Sequence, residues 1–206
     1  PRVAIVGAGI AGLSAGYHLR RAGIRPQIYE ASTRAGGRIL SVRDAVAPGL
    51  VTEFGGEFID SGHEEMHRLV RLFGLRLIDL KGGEEARLRP TFYFNGRRIS
   101  EAEVVRAFRP LARRIRQDQE AVGDVVTYRQ HTPRARELDR ISISEYLDRI
   151  GAAGWVKELL EVAYVGEYGL EAGEQSALNL VLLIGTEPGT SFEVYGESDE
   201  RYSVRG

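Results

Sequence analysis

The sequence predicts an α/β protein with a second, mainly helical domain, and three observations lead to this prediction. A short apolar run from Val3 to Val6 leads directly into a glycine-rich turn and a helical stretch. A second strand-like segment from Arg25 to Glu30 follows, which gives the order strand, helix, strand that is typical of parallel sheets. The later residues read mostly as amphipathic helices, several of them preceded by a serine that can cap the helix.

The boundary between the two domains is expected in the polar, glycine-containing segment from Lys81 to Pro90. The first domain would then span residues 1–80 and the helical domain residues 90–195. The chain has 206 residues, of which 43% are hydrophobic, so it can supply a core for each domain.

The glycine-rich turn has the sequence Gly7-Ala8-Gly9-Ile10-Ala11-Gly12. Gly7 permits the tight turn out of the strand, Gly9 lets a pyrophosphate approach the backbone, and Gly12 brings the next helix close to the sheet. That helix points its free N–H groups and the positive end of its dipole at the phosphates. The motif therefore predicts a Rossmann-like dinucleotide site, with contacts from Gly7, Gly9, Ile10, Ala11 and Gly12.

An acidic residue stands where such a site needs one. Glu30 follows Gly7 by twenty-three residues, and the second strand delivers it to the carboxyl edge of the sheet. A carboxylate there can accept hydrogen bonds from both ribose hydroxyls and would repel a 2′-phosphate, so NADP is disfavoured. Ala31 and Ser32 follow directly and join the predicted cofactor contacts.

The next stretch, Ala31-Ser32-Thr33-Arg34-Ala35-Gly36-Gly37-Arg38, distinguishes FAD from NAD. Gly36 and Gly37 let the backbone pass close to a cofactor, and Arg38 can place a planar cation against its diphosphate. After Glu30, this loop resembles the N-terminal half of the flavin-containing monoamine oxidase and L-amino-acid oxidase family. The resemblance implies FAD as the cofactor. An NAD-dependent dehydrogenase is the weakest alternative, because Gly36-Gly37-Arg38 has no role in such an enzyme.

The resemblance also implies a reaction, the FAD-dependent oxidation of an amine or amino acid. A hydride equivalent would pass to the flavin, and O₂ would be the final acceptor. In the family, the lysine near the flavin and the aromatic residues that flank the substrate come from the later half of the enzyme. No catalytic residue is therefore expected in this chain, whose main partner would be the C-terminal remainder of the same enzyme.

Further segments match the family more loosely. Gly55-Gly56-Glu57-Phe58 matches the segment whose backbone passes beside the flavin ring, so these four residues are expected cofactor contacts. Glu167 and Tyr168 are expected in a turn before a buried helix, where the family lines its substrate pocket. The candidate substrate contacts are therefore Phe58, Glu167 and Tyr168, and Glu167 could attract an ammonium group. Residues 196–206 resemble the segment with which the family returns to the cofactor domain.

Composition argues against several other functions. The chain has 28 Lys and Arg against 29 Asp and Glu, a net charge of −1, which gives no global attraction to nucleic acid. Because the chain has no cysteine, it forms no disulfide, thiolate metal site or cysteinyl-flavin bond of its own. His63 and His67 lie one turn apart without a third ligand, so no metal site is predicted. No apolar run reaches the length of a membrane span.

The sequence leaves several questions open. A related flavin desaturase or porphyrinogen oxidase would share the first motifs, and a non-catalytic scaffold could bind FAD without turnover. The sequence is compatible with a homodimer. It does not distinguish a cytoplasmic from an exported protein. The chain starts without Met two residues before its first strand, so we expect a preceding peptide to have been processed, trimmed or left out.

Local patterns give further expectations that a structure can test. We expect Val3–Val6 to be buried on both faces, Ser61 and Glu64 to form a capping box, and a helix after Ser100 to kink or break at Pro110. We also expect hairpins in the segments 39–54 and 92–99, a loop over 123–140, a capped helix opened by Ser142, a helix ending near Gly166 and a buried helix over 177–184.

Overall fold

The computed structural model describes residues 2–88, 91–187 and 191–205. These residues form two compact units. Unit 1 comprises Pro1–Ala86 and Glu200–Gly206, and unit 2 comprises Arg87–Asp199. The domain boundaries drawn from the sequence at residues 80, 90 and 195 stay predictions, and Pro90 lies outside the described residues.

Unit 1 begins with the strand, helix, strand order that the sequence predicts. The first strand, β1 (Ala4–Val6), leads into helix α1 (Ile10–Arg21), and β2 (Gln27–Tyr29) pairs with β1 in parallel, with Val6 opposite Tyr29. Helix α1 lies close to this pair of strands. A Cβ atom added to Gly16 of α1 would come within 2.9 Å of Ile28 Cδ1 on β2, so a side chain at this position would require the Ile28 side chain to move.

The expectation that β1 is buried on both faces is wrong for this chain. Ile5 faces α1, since its side chain lies within 3.2 Å of the position that a Cβ atom on Gly12 would take. Neighbouring side chains of a strand point to opposite faces, and Val6, on the other face, is 91% exposed. The reason is that α1 covers one face only, and β1 pairs with β2 alone among the strands of the described residues.

The rest of the N-terminal segment forms a hairpin, a helix and a further strand. The predicted hairpin is confirmed as β3 (Ser41–Arg43) and β4 (Val51–Glu53), which pair in antiparallel fashion. Helix α2 (Glu64–Leu72) and strand β5 (Leu77–Asp79) follow, and a single 3₁₀ turn covers Glu85–Arg87.

The predicted capping box at the start of α2 is wrong. His63 is the N-cap residue, and no side chain makes a capping hydrogen bond there. With Ser61 as the cap, Gly62 would have had to take the first helical position, and glycine is a poor helix former. Instead the chain makes a turn, closed by the His63 N–H donating to the Asp60 carbonyl at 3.0 Å, and the helix begins afterwards.

Unit 2 opens with a second hairpin and a long helix. Strands β6 (Phe92–Phe94) and β7 (Arg97–Ile99) are joined by Asn95 and Gly96, which both have positive φ angles as predicted. Helix α3 (Glu101–Val122) starts with a complete capping box of Ser100 and Glu103. It runs through Pro110 without a break, because the carbonyl that loses its N–H partner there belongs to the exposed Arg106 and remains open to water.

Four shorter helices complete unit 2: α4 (Pro133–Leu138), α5 (Ile143–Arg149), α6 (Gly154–Tyr168) and α7 (Ala177–Leu183). The loop predicted over 123–140 is therefore wrong in part. The Thr132 side chain caps the Ala135 N–H, and Pro133 occupies the start of α4, which is a favourable position for proline. The capped helix after Ser142 is confirmed. The helix after Ser176 is also present, but it is buried only in part, because Leu182 is 54% exposed.

Helix α6 is longer than the sequence predicts. It continues past Gly166 through Tyr168 and ends at Gly169, whose φ of 67° gives the left-handed cap. Gly166 lowers the stability of the helix but does not end it, because its φ angle is not positive. Glu167 and Tyr168 thus lie in the last turn of a helix, and the expectation that they form a turn is wrong.

The core of unit 2 surrounds a buried polar cluster. Asp118 of α3 is 4% exposed and accepts hydrogen bonds from Arg134 of α4, at 2.9 and 2.8 Å, and from the hydroxyl of Tyr146 of α5, at 2.8 Å. Burial, followed by the bond to Asp118, raises the pKa of Tyr146. Three helices are therefore tied to one carboxylate. Apolar side chains that are fully buried around them include Ile115, Leu138, Ile143, Leu147, Leu160 and Leu180.

The chain ends in unit 1 with strand β8 (Tyr202–Val204), which pairs with β5 in antiparallel fashion. Arg201 next to this strand forms an ion pair with Asp79 of β5 at 2.9 Å, and the backbones of Tyr202 and Ile59 exchange hydrogen bonds at 2.7 and 2.9 Å. No helix among the described residues combines the length and apolar character that crossing a bilayer requires.

We predict that Asp118→Ala destabilises the protein by about 3–5 kcal/mol, because it leaves the Arg134 guanidinium without its buried partner. Tyr146→Phe removes one donor and should cost about 1–2 kcal/mol. Chemical denaturation measures both. The matched control is Glu137→Ala, which removes the 66% exposed partner of the same arginine and should cost less than about 1 kcal/mol. Equal losses of unfolding free energy in the three variants would contradict the stabilising role assigned to the buried Asp118 carboxylate.

Candidate cofactor-binding site

The carboxylate of Glu30 connects the glycine-rich turn to the end of β2. Its Oε2 atom accepts the Ala8 N–H at 2.7 Å, and its Oε1 atom accepts the Ser32 N–H at 2.8 Å. These backbone bonds, first from Ser32 and then from Ala8, lower the pKa of Glu30 from 4.5 to about 2. The side chain is exposed and ionised at neutral pH, and each oxygen keeps a lone pair for a further donor.

The second glycine motif packs directly against the first. The Gly36 N–H donates to the Ala8 carbonyl at 2.8 Å, and Gly9 and Gly36 form an isolated parallel bridge. Gly36 and Gly37 have φ angles of 114° and 59°, which residues with a side chain rarely adopt. A Cβ atom on Gly37 would also lie 3.2 Å from the Gly9 Cα atom. The two motifs therefore meet backbone to backbone.

The third glycine motif, Gly55-Gly56, joins the same cluster through the carbonyl of Arg38. The Gly56 N–H donates to the Arg38 carbonyl at 3.0 Å, and a Cβ atom on Gly55 would lie 1.9 Å from that oxygen. Gly55 is thus required by the protein backbone itself. Glu57 is partly buried and Phe58 is 48% exposed. The structure brings these positions next to the Gly36–Arg38 loop, and their contacts with a cofactor stay predictions.

The N-terminus of α1 fits a diphosphate. Its N-cap residue, Gly9, offers no side chain, and the first turn contains no acidic residue. Helices α3, α4, α5 and α7, by contrast, each begin with a side chain that accepts a backbone N–H. A Cβ atom on Gly9 would meet only the Gly37 Cα atom, at 3.9 Å, whereas one on Gly12 would lie 2.0 Å from the Gly7 carbonyl oxygen. The start of α1 thus presents donors to an anion and keeps the approach free of side chains.

An arginine that the sequence analysis did not single out holds this region. The Arg34 guanidinium donates to the carbonyls of Gly37, Ile39 and Ala35 at 2.6, 3.0 and 3.3 Å. The side chain of Arg38, in contrast, is exposed and has no hydrogen bond or ion pair with any residue that the structure describes, so it is available to a ligand. The sequence points to Arg38 through the Gly36-Gly37-Arg38 motif, but it gives no signal that Arg34 binds the carbonyls of this loop.

The other candidate residues belong to unit 2. Tyr168 is 44% exposed, stacks on Tyr164 with a centroid distance of 6.1 Å and donates to the Asn179 carbonyl at 3.5 Å. Burial, followed by the charge of Glu167, raises the pKa of Tyr168. Glu167 is exposed and forms no ion pair within the described part of the chain. Their assignment to the substrate stays a prediction.

The backbone of Asp60 contacts both histidines of the pair His63 and His67. His67 Nε2 lies 3.0 Å from the Asp60 carbonyl oxygen, and His63 Nδ1 accepts the Asp60 N–H at 3.1 Å. Among residues 2–88, 91–187 and 191–205, no group of three or more His, Cys, Asp or Glu side chains is arranged to hold a metal ion.

Comparison with known proteins agrees with this geometry. The family model described as flavin containing amine oxidoreductase matches residues 10–176, which is most of the chain. The chain belongs to this family. Among curated relatives, the L-amino-acid oxidase of Mus musculus is 43% identical over 76 residues, which are 37% of this chain and 12% of that protein. Protoporphyrinogen oxidase 2 of Arabidopsis thaliana is 37% identical over 75 residues, which are 36% of this chain and 14% of that protein.

The similarity to solved structures extends along nearly the whole chain. A putrescine oxidase bound to putrescine superposes with a TM-score of 0.73 and 24% identity, over 99% of this chain and 46% of that one. The cyclohexylamine oxidase of Brevibacterium oxydans superposes with a TM-score of 0.68 and 20% identity, over 95% and 46%. At these identities the similarity shows the fold, a mixed α/β arrangement with a partial Rossmann-like FAD domain. The chain spans less than half the length of these relatives.

We predict that Arg34→Ala loosens the Gly36–Gly37 loop, because three carbonyls lose their shared donor. Hydrogen exchange of the Gly36 amide, measured without FAD, should become about tenfold faster. Arg38→Ala is the matched control, since it removes an arginine from the same loop that makes no bond to the described chain. If Arg38→Ala accelerates exchange as much as Arg34→Ala does, the role assigned to Arg34 is wrong.

Proposed function

We propose that the full-length protein is an FAD-dependent oxidoreductase that oxidises an amine or amino acid. The observation that carries the proposal is the cluster of the glycine-rich turn, the two later glycine pairs and Glu30 around the uncapped start of α1, in a chain of the flavin-containing family. This cluster offers backbone N–H groups and an ionised carboxylate where a dinucleotide needs them, and it excludes side chains from the approach.

Each part of the cluster has a proposed role. The pyrophosphate would lie at Gly7–Gly12 on the positive end of α1, and the adenosine ribose would donate to Glu30. Arg38 would approach the diphosphate, because its guanidinium has no partner within the described residues. Ala31, Ser32, Gly36 and Gly37 would pass beside the cofactor, and the Gly55–Phe58 segment would reach its flavin end.

When bound, FAD would supply the redox chemistry, as acceptor of a hydride equivalent from the carbon that bears the nitrogen, with O₂ as the final electron acceptor. Residues of this chain would hold and orient the cofactor and contribute to the substrate pocket. Phe58 offers an exposed aromatic surface, and the exposed, unpaired Glu167 could attract an ammonium group. We assign no catalytic acid or base to this chain.

A second candidate is a flavin oxidase of porphyrinogen type, which the similarity to protoporphyrinogen oxidase 2 favours. The amine reaction is favoured by the family model, which matches residues 10–176 and is described as flavin containing amine oxidoreductase. The two candidates differ in substrate size and polarity, so they can be separated by experiment.

The proposed partner of this chain is the C-terminal remainder of the same enzyme. Val6 on β1 and Tyr29 on β2 are 91% and 52% exposed, which is unusual for a parallel pair of strands. Further strands packed on this pair would bury both side chains. A homodimer is also compatible with the chain, and no feature described above requires one.

We predict that Glu30→Ala weakens FAD binding by about tenfold, because the ribose hydroxyls lose a charged acceptor. Arg38→Lys should also weaken binding, since an ammonium group cannot reproduce the planar fork of a guanidinium. Quenching of flavin fluorescence in the full-length protein measures both affinities. Arg25→Ala, an exposed arginine outside the cluster, serves as the control and should leave affinity unchanged. Unaltered FAD binding by Glu30→Ala would contradict the assignment of the ribose.

The reaction is tested on the purified full-length protein. Its absorption spectrum should show oxidised flavin, which should bleach when the correct substrate is added without oxygen. A panel of amino acids, primary amines and diamines, followed by peroxide detection, should then identify the substrate class. Flavin reduction by a porphyrinogen and by no member of the amine panel would favour the second candidate. A flavin that no substrate in either class reduces would contradict both.

A further inference from the structure

The segment 55–58, which the proposed function places at the flavin end of the cofactor, lies between two anchors within unit 1. Near its start, the Gly56 N–H donates to the Arg38 carbonyl at 3.0 Å. Directly after it, the backbone of Ile59 exchanges two hydrogen bonds with the backbone of Tyr202, at 2.7 and 2.9 Å. Ile59 is 4% exposed, so the second anchor is buried. The position of the segment 55–58 therefore depends on how the chain around Tyr202 is held.

Glu200, the first residue of the C-terminal part of unit 1, has an unusual backbone conformation. Its φ angle is 43°, and Asp44 and Asn95 are the other non-glycine residues with a positive φ in the described part of the chain. Asp and Asn visit the left-handed region more readily than Glu does. A strained conformation of this kind persists only where the surrounding structure holds it. Glu200 therefore depends on a contact that stabilises its left-handed backbone.

The carboxylate of Asp60 supplies such a contact. Its Oδ1 atom accepts the Glu200 N–H at 2.7 Å, and its Oδ2 atom lies 3.4 Å from His63 Nε2. The side chain of Asp60 is only 16% exposed, so this bond is partly shielded from water, and the charge of the acceptor strengthens it. One carboxylate thus connects the end of the segment 55–58 to the turn that leads into Tyr202.

A second carboxylate holds the same C-terminal residues from another strand. Asp79 of β5 accepts two hydrogen bonds from the Arg201 guanidinium, at 3.1 and 2.9 Å. Both side chains are more exposed than that of Asp60, at 36% for Asp79 and 41% for Arg201. Strand β5 does not continue into the segment 55–58. Asp79 is therefore a natural comparison for Asp60, because it holds the neighbouring residue without a direct connection to that segment.

We propose that Asp60 is a positioning residue for the flavin. By holding Glu200 in the left-handed conformation, Asp60 fixes the pairing of Ile59 with Tyr202 and thereby the position of the segment 55–58. This role uses the acceptor oxygen of Asp60 and requires no contact between Asp60 and the cofactor. The inference rests on the proposed function, since the approach of the segment 55–58 to the flavin is part of it.

The test uses the full-length protein and two readouts. Without FAD, hydrogen exchange of the Ile59 amide reports its bond to the Tyr202 carbonyl, and Asp60→Ala should accelerate this exchange about tenfold. With FAD, Asp60→Ala should weaken binding by about threefold to tenfold, because the segment 55–58 is then ordered at the expense of binding, and it should alter the visible spectrum of the bound flavin. Asp60→Asn keeps an acceptor oxygen and should resemble the wild type in both readouts.

Two further comparisons separate positioning from a general loss of stability. Asp79→Ala is the matched control, and it should leave flavin affinity and the flavin spectrum unchanged, because exposed ion pairs contribute little. Glu200→Gly in the Asp60→Ala background should restore slow exchange and most of the flavin affinity, because glycine adopts a positive φ without strain. Glu200→Ala removes the same side chain without this freedom and should not restore them. If Asp60→Ala alone does not fold, recovery of the folded protein by Glu200→Gly and not by Glu200→Ala is the expected result.

Three results would overturn the proposal. The first is a loss of flavin affinity in Asp60→Asn as large as in Asp60→Ala, since the charge would then matter in place of the acceptor oxygen. The second is an equal effect of Asp60→Ala and Asp79→Ala on the flavin spectrum. The third is equal recovery, or none, with Glu200→Gly and Glu200→Ala. A wild-type protein that binds no FAD would overturn the proposed function together with the flavin role of Asp60, and exchange at Ile59 distinguishes this case because it is measured without FAD.

Discussion

The cofactor site depends on one carboxylate that accepts two backbone N–H groups. Glu30 receives one bond from Ala8 in the first glycine turn and one from Ser32 after β2. Together with the Gly7 N–H, which donates to the Tyr29 carbonyl at 2.7 Å, these bonds fix where the turn lies relative to the second strand. The carbonyl of the same Ala8 accepts the N–H of Gly36, so the position of the Gly36–Gly37 loop is set through the same residue. Glu30 and Ala8 therefore connect the first two glycine motifs, and the Gly55-Gly56 pair joins them through the Arg38 carbonyl.

Glycines make up this cluster for two different physical reasons. Gly12 and Gly55 stand where the protein backbone leaves no room, since a Cβ atom would lie 2.0 and 1.9 Å from a carbonyl oxygen. Gly9 stands where the protein leaves the space open, and a Cβ atom there would meet a single atom at 3.9 Å. The first kind closes the fold, and the second keeps room for something that is not protein. Only the second kind points to a ligand.

The strand, helix, strand order and both hairpins could be predicted because their signals are local: apolar runs, glycine turns and the Asn95-Gly96 pair. The exposure of Val6 could not be predicted, because burial depends on which strands lie beside β1, and periodicity does not contain that information. Helix α4 was missed although Thr132 and Pro133 form a recognisable start, since the mixed charge of the segment resembled a loop. The motif Gly36-Gly37-Arg38 pointed to Arg38, whereas the role of Arg34 could not be predicted, because its three acceptors are backbone carbonyls whose positions depend on the path of the loop. The cofactor motifs were recognisable because they use backbone conformation, which glycine spacing records directly.

The uncapped start of α1 has a consequence for the handling of the protein. The N–H groups of a first turn with no internal acceptor bind water or an anion, and any anion that binds the folded form alone stabilises it by mass action. Buffer phosphate or sulfate would occupy the same donors as a dinucleotide and compete with it. We therefore expect flavin affinities and melting temperatures of this protein to depend on the buffer anion, so that values are best compared at a common anion concentration.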